Sequence, residues 1–580
     1  TLTPKELRKN TDNLRGAEHR RPVDAEAACA PAEVLQPFGF GDGGGGATER
    51  LLDAAHLARA CAGVPRTELS SVGAFVERLH AQADRSPPPT WAGELYLELH
   101  RGTLTTHAWL KAMNRRAEEA LRVAEMVAQH RPSAQHEADL DRAWKLLLLN
   151  QFHDILPGSS IRPVYTAARA QLDEAIDTAE RITGTGDAVL NPASTPRGGV
   201  IETGDGSIVF VEPIRPLAAV RPVATTPSQP VVASDRALEN AHVRVELDVA
   251  GRIAALHDKR SGRNLASGAL GELVLLEDRP MMWDAWDIDR YSEDKVVWRQ
   301  DSPVEIERVT EHELRAELRC SFAVGEKSRV TRTVRLDADS PRVDLITEVD
   351  WHETHRLLRM LFPAAVRTER VGYDVGIGHI ERPAHRNTAW DRARFEVSAH
   401  RWMSAHEHGA GLAILNTGTY GCGAAANAEA CTMHVSLLRS PVHPDPGADR
   451  GTNRFVHSLL PHDGGLRAVT AEAEALNRPL RHVAGETPAP FVIETAGSAA
   501  CEIAACKAAA DDPSRRVVRV FEVAGGRGSC SVRSADPIRR AALADALERP
   551  IDGEDLAIDD NTIEFRVEPF SIRTVLIEPA

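Results

Sequence analysis

Apolar residues recur at the three- and four-residue spacing of amphipathic helices through the first third of the chain, and they alternate with polar ones from Leu238 onward. Between about Thr105 and Gln129, Leu110, Met113, Ala117, Leu121, Ala124 and Val127 share one helical face. Arg131-Pro132 ends that pattern, because proline lacks the N–H and clashes with the preceding turn. A second helix is predicted from Ser133, a good N-cap, to near Asp154, with Leu140, Trp144, Leu147 and Leu148 as its stripe. Pro157-Gly158 breaks the chain again, and a third helix is predicted from about Ile161 to Thr183 with Ser159 or Ser160 as its cap. Three consecutive helices with short connections predict an antiparallel bundle.

Beyond it the period changes to two. Val243, Val245 and Leu247 interleave with Arg244, Glu246 and Asp248, and Val343, Leu345, Val349 and Trp351 share one parity. Many such runs separated by turns predict antiparallel β-sandwiches. Five prolines between Pro213 and Pro230 mark a strap between the two regions and exclude a helix there. The predicted fold class is therefore multidomain α plus β, a three-helix bundle followed by antiparallel β-sandwich domains.

Composition narrows the function. At 580 residues the chain is too long for one core. Its formal net charge of −15, with no basic cluster, argues against a nucleic-acid partner. No run reaches the roughly 18 apolar residues of a membrane helix, and Thr1 to Arg21 contains no apolar signal-peptide core. Eight scattered cysteines without a Cys-x-x-Cys pair read as buried free thiols, which fits a reducing cytoplasm.

Four stretches could carry chemistry. Pro37-Phe38-Gly39-Phe40-Gly41-Asp42-Gly43-Gly44-Gly45-Gly46 has Asp42 as its only ionisable side chain. It reads either as a flexible linker or as a loop where backbone approaches a ligand closely. Asn150 to Ser160 places His153 and Asp154 side by side before a sharp turn, where an imidazole can ligate a metal and a carboxylate can bind a hydroxyl. A lone histidine is also a common structural hydrogen-bonder, since metal sites need three or four ligands. Trp283-Asp284-Ala285-Trp286-Asp287-Ile288-Asp289 suits sugar recognition by stacking and carboxylate contacts, and equally suits an acidic turn at a strand edge. Gly378 to Pro383 and His385 to Asp391 form a polar, aromatic stretch too irregular for a strand interior.

Together with Gly93-Glu94-Leu95-Tyr96-Leu97-Glu98-Leu99-His100-Arg101-Gly102-Thr103, Leu146 to Ser160 and Leu437-Leu438-Arg439-Ser440-Pro441, these strings resemble the class II α-mannosidases, glycoside hydrolase family 38, closest to its bacterial and cytosolic branch. They occur in the family's order and cover nearly all of the chain. The resemblance implies an N-terminal α/β domain, a three-helix bundle and β-sandwiches. Applied here, it implies a remnant of the α/β domain over 1–90, the bundle over 91–187, a β-type strap over 188–237 and sandwiches over 238–580. It implies zinc-dependent, retaining hydrolysis of terminal α-linked mannose in oligosaccharides, with His153 as a zinc ligand and Asp154, Trp286 and His385 contacting substrate. Asp42 takes the place of the general acid/base. The departures are an absent His-x-Asp pair and nucleophile upstream of Asp42, Leu104 in place of an aromatic residue, and an unfamiliar stretch from Ala17 to Gln36. The expectation is thus that the α/β domain is mostly absent and that this chain alone is inactive; the competing reading is a non-catalytic, carbohydrate-binding or structural remnant. Phe38, Phe40, Phe152, Trp286 and Trp390 are expected to form an exposed apolar patch that drives self-association, a homo-oligomer included.

Overall fold

The computed structural model describes residues 3–9, 33–41, 44–84, 90–131 and 133–580. They fall into two compact units, Thr1–Tyr96 and Leu97–Ala580. The first unit contains helices α1 (Glu49–Ala58) and α2 (Val72–Ala83). Ser71 caps α2 by accepting from the Ala74 N–H at 3.2 Å. Phe40 and Gly45 exchange backbone hydrogen bonds across the tip of the glycine run.

The second unit opens with the bundle: α3 (Ala108–Ala128), α4 (Ala134–Asn150) and α5 (Arg162–Thr183). Leu110, Ala117, Leu121 and Ala124 of α3, Leu140, Ala143 and Leu147 of α4, and Tyr165, Ala168, Leu172, Ile176 and Ala179 of α5 form one apolar core. Two expectations need correction. Leu148 is 59 % exposed, because it lies about 100° round the helix from Leu147. Neither Ser159 nor Ser160 caps α5, whose N-cap is Ile161 with Pro163 in the first turn. The Ser159 hydroxyl donates instead to Asp154, and the Ser160 N–H donates to the Tyr165 hydroxyl.

The remainder is antiparallel sheet. A nine-stranded sheet runs in the order 306–312, 315–324, 328–337, 343–351, 451–462, 410–416, 402–407, 370–374, 379–383. A six-stranded sheet, which includes 272–277, 356–364 and 431–438, joins it in a large β-sandwich. The parity read from the sequence is met: Val343, Leu345, Val349 and Trp351 are buried, as are Val243, Val245 and Leu247 of a smaller sheet. Four- and five-stranded sheets over 491–579 make the C-terminal sandwich. A short helix, α6 (Ala389–Ala393), interrupts the polar stretch after His385, and α7 (Leu466–Asn477) packs Val469 and Ala473 against Trp402 and Leu460. Cys320, Cys422, Cys431, Cys506 and Cys530 are buried, while Cys61 is exposed.

Helix α3 fastens the bundle to both sandwiches. Arg115 donates to the His400 carbonyl at 2.8 Å, and Arg122 donates to the Ala504 carbonyl at 2.6 Å. Glu119 pairs with Arg478 at 2.6 Å. Among the described residues no helix is long and apolar enough to cross a membrane.

Candidate functional site

Four segments far apart in sequence meet at the start of α3. A 3-10 turn, Arg101–Leu104, delivers the chain to Thr105, and His107 then turns it into α3 with a positive φ of 55°. His107 provides no side-chain cap. The Asp449 carboxylate does so from the far end of the sequence, accepting from the Ala108 N–H at 3.1 Å. A carboxylate there satisfies an orphan donor and opposes the positive helix end. Its second oxygen accepts from the Arg439 and Ser440 N–H groups at 3.2 and 3.1 Å.

Arg439 is the hub of this junction. It is fully buried, and its Nε donates to Asp278 at 2.8 Å. Nη1 donates to the Thr106 hydroxyl at 3.2 Å and the Ala285 carbonyl at 3.1 Å, and Nη2 donates to the Asp287 carbonyl at 2.6 Å. The guanidinium occupies the space a Cβ would need at Gly102, so only glycine fits in that Arg-Gly-Thr turn. Asp287 also accepts from the Arg101 N–H at 3.2 Å, and Asp284 accepts from the Val442 and His443 N–H groups at 2.7 and 3.1 Å. Arg101 reaches on to the Ala393 carbonyl, tying in the loop that carries His385.

The turn bearing His153 and Asp154 is held against the same junction. Lys111, 4 % exposed, donates to the Thr106 and Leu156 carbonyls at 2.5 and 2.9 Å. Burial lowers its ammonium to about 7; Asp449 opposes that shift and Arg439 adds to it. Gly158, at φ +88°, lets the turn press on the Thr106 backbone where any Cβ would collide. Tyr165 stacks on His107 at 3.7 Å between ring centroids. His107 Nε2 lies 3.4 Å from Asp445, which Arg162 also contacts at 3.1 Å. Burial would raise the Asp445 carboxyl, but His107, the Gly447 N–H and Arg162 outweigh it and hold it at about 2.

The side chains singled out in the sequence sit on the outside of this framework. His153 is 76 % exposed, with its ring 4.2 Å from that of Phe152 and its Nε2 3.6 Å from Asp154 Oδ2. The Asp154 side chain is 45 % exposed and takes the Ser159 hydroxyl on Oδ1 at 2.8 Å. Trp286 is half-buried and meets the exposed Trp283 edge to face at 6.0 Å. His385 lies 3.5 Å from Asp391, whose carboxylate completes the capping box of α6. Of the aromatic residues expected to be exposed, Phe152 and Trp390 are, as are Leu149, Met281 and Met282, whereas Trp286 is half-buried. Phe40 is exposed and Phe38 half-buried in the first unit. Asp42 lies outside the described residues. So the structure joins the 101–107, 150–160, 283–289 and 437–449 segments mainly through side chains that bond to backbone groups, with the 385–393 loop attached through Arg101.

The motifs contain Arg439 and Asp284 without marking a role for either, and they do not include Asp449 or Lys111. Arg439 had a signal, as a lone cation ending the apolar strand Cys431–Leu438. A metal was the remaining question. Among the described residues no three His, Cys, Asp or Glu side chains gather to hold one. His153 and Asp154 by themselves do not make a zinc site.

Comparison with known proteins follows the same segments. Residues 98–190 match the family model described as alpha mannosidase middle domain. Residues 238–447 match the glycosyl hydrolases family 38 C-terminal domain, and residues 501–575 match that family's C-terminal beta sandwich domain. Alpha-mannosidase 2C1 of Homo sapiens is 36 % identical over 93 % of this chain and 55 % of the human protein. Alpha-mannosidase G of Dictyostelium discoideum is 28 % identical, over 93 % of this chain and 57 % of its own length. The chain spans about half the length of the curated relatives it matches. Among solved structures, an alpha-mannosidase from Enterococcus faecalis shares the fold with a TM-score of 0.72 at 16 % identity, covering 92 % of this chain and 75 % of that one.

Proposed function

This chain belongs to glycosyl hydrolase family 38, of which it carries the middle, C-terminal and C-terminal β-sandwich domains, and from that premise we propose that the protein releases terminal α-linked mannose from oligosaccharides. The observation that carries this reading is the junction around Arg439 and Thr106. It fixes the turn of Asp154 and the loop of Trp283 and Trp286 to one framework.

In this reading Asp154 takes sugar hydroxyls, since a carboxylate with one oxygen already oriented by Ser159 presents the other as an acceptor of set direction. Trp283 offers an exposed aromatic face for the apolar side of a pyranose. Retention requires two carboxylates about 5–5.5 Å apart, one attacking the anomeric carbon and one protonating the leaving oxygen. We assign neither role to a described residue; Asp42 remains the proposed acid/base. His153 is proposed to give one imidazole to a zinc ion whose other ligands are not among the described residues.

The test is release of mannose from an aryl α-mannoside by the 580-residue chain and by any longer product of the same gene. Turnover, selective for mannose over glucose and galactose, is expected only from a product that also supplies the nucleophile, with background from the 580 residues alone. A nucleophile-bearing product that binds mannosides without cleaving them would favour the non-catalytic reading.

A further inference from the structure

Buried arginines in the large sandwich are commonly matched by acids: Arg401 by Asp374 and Glu502, Arg359 by Glu396, Arg315 by Asp337. Arg332 is different. It is 1 % exposed on the strand Ser328–Asp337 and makes no ion pair among the described residues. Its one hydrogen bond runs from Nη1 to Gln300 Oε1 at 3.3 Å, and the guanidinium carbon lies 5.9 Å from the Phe322 ring centroid. Nε and Nη2 are buried without an acceptor. Two neighbours share the defect: the Thr347 hydroxyl and both ring nitrogens of His457 are buried without a partner.

The strand registers place these groups on one face. Arg332 stands opposite Thr347, and one pleat along the strand Val334 stands opposite Leu345, which itself stands opposite His457. The head of Arg332 lies at the Leu345 row, for a Cβ on Gly271 would sit 3.2 Å from Leu345 Cδ1 and 3.8 Å from Arg332 Nη1. The guanidinium thus stands beside Thr347 with Nη1 turned to Gln300 and Gly271, and its charge reaches His457.

Among the described residues nothing nearby neutralises it. Burial lowers the guanidinium to about 10, which leaves it charged at neutral pH. Cys320 is its one acidic neighbour, and burial holds that thiol above its usual range, hence neutral. Burial and Arg332 together push His457 down to about 3, so the imidazole is neutral as well. The carboxylates of the flanking strands are committed elsewhere: Glu272 to Arg252 and Arg299, Glu317 to Arg335, Asp337 to Arg315. Burying an isolated cation is strongly unfavourable unless a counter-charge accompanies it. Water would satisfy the free donors and leave that charge unbalanced, and a doubly charged oxyanion would overshoot it. We propose that this cluster binds a single halide-class monoanion, chloride being the one at hand in solution, through Arg332 Nε and Nη2, with the His457 N–H and the Thr347 hydroxyl as neutral donors.

Two measurements test this on the whole 580-residue chain. In crystals soaked in bromide, anomalous scattering should show one peak within contact of Arg332 and His457. A peak absent there, with ordered water in its place, would overturn the proposal. In solution, chloride should replace gluconate at constant ionic strength with a saturable rise in Tm of about 2–4 °C. Arg332→Met should abolish that rise. Should this variant fail to fold, Thr347→Val should still weaken the chloride response. A wild-type Tm indifferent to chloride would also overturn it.

Discussion

Two buried arginines in this molecule have opposite surroundings. Arg439 is fully buried with Asp278, the Thr106 hydroxyl and two backbone carbonyls on its three nitrogens. Arg332 is 1 % exposed with a single amide oxygen. A guanidinium presents five donors in a rigid fork, so the first arrangement can join four chain segments while the second leaves most of the fork unused. Burial of charge is thus tolerated in two ways: by structural partners brought from distant sequence, or by something the chain does not itself supply. A carboxylate has a third way, because it can hold its proton. Glu125, partly buried in the bundle, accepts from the Trp144 indole at 2.9 Å, and burial raises it to about 7 although Lys507 and that hydrogen bond oppose the shift.

The largest effect should come from breaking the satisfied arginine. Arg439→Met strands Asp278 in the interior, and a buried pair robbed of one partner loses about 3–5 kcal/mol. Urea unfolding of the variant should show that loss, with the 150–160 turn becoming the earliest segment to exchange its amide hydrogens. Gly158→Ala acts on the same junction from outside, forcing a Cβ into a positive φ and against the Thr106 backbone, and should cost about 1–3 kcal/mol.

Glu125 sharpens the contrast through pH. Its folded value lies above the ordinary carboxylate value of 4.5, so between about 4.5 and 7 the folded state keeps a proton that the unfolded state has released. Stability from this group is complete below that window and is lost as pH rises through about 7. Glu125→Gln keeps the acceptor for Trp144 and should flatten the fall of Tm across those pH values. Arg332→Met should give the smallest loss, leaving stability at or above that of wild type in halide-free buffer, because it removes an unpaired charge and strands no carboxylate. A loss as large as that of Arg439→Met would erase the distinction between the two arginines.

The periodic parts of the fold were legible because burial follows local spacing. Leu110, Leu121 and Leu147 in the bundle and Val343 to Trp351 in the sheet lie where their parity put them. Leu148 and the serine caps were misread for local reasons: one position off the stripe, and hydroxyl or amide groups claimed by Asp154 and Tyr165. The junction was legible only as separate strings. Arg439 meets Thr106 across 333 positions, and Asp449 caps α3 across 341, so no window of sequence contains both partners. His153 and Asp154 were visible as a motif, whereas the turn that aims them depends on Lys111 and Gly158, which look ordinary in a helix and a loop.

In the proposed function this junction presents Asp154 to a mannoside. The direct measurement is kcat/KM for an aryl α-mannoside with a catalytically active form of the protein carrying Asp154→Asn, beside circular dichroism and Tm. A fall of about 10- to 100-fold, the worth of a hydrogen bond to a charged group, is expected with an unchanged fold. Wild-type kcat/KM in a folded Asp154→Asn variant would contradict it.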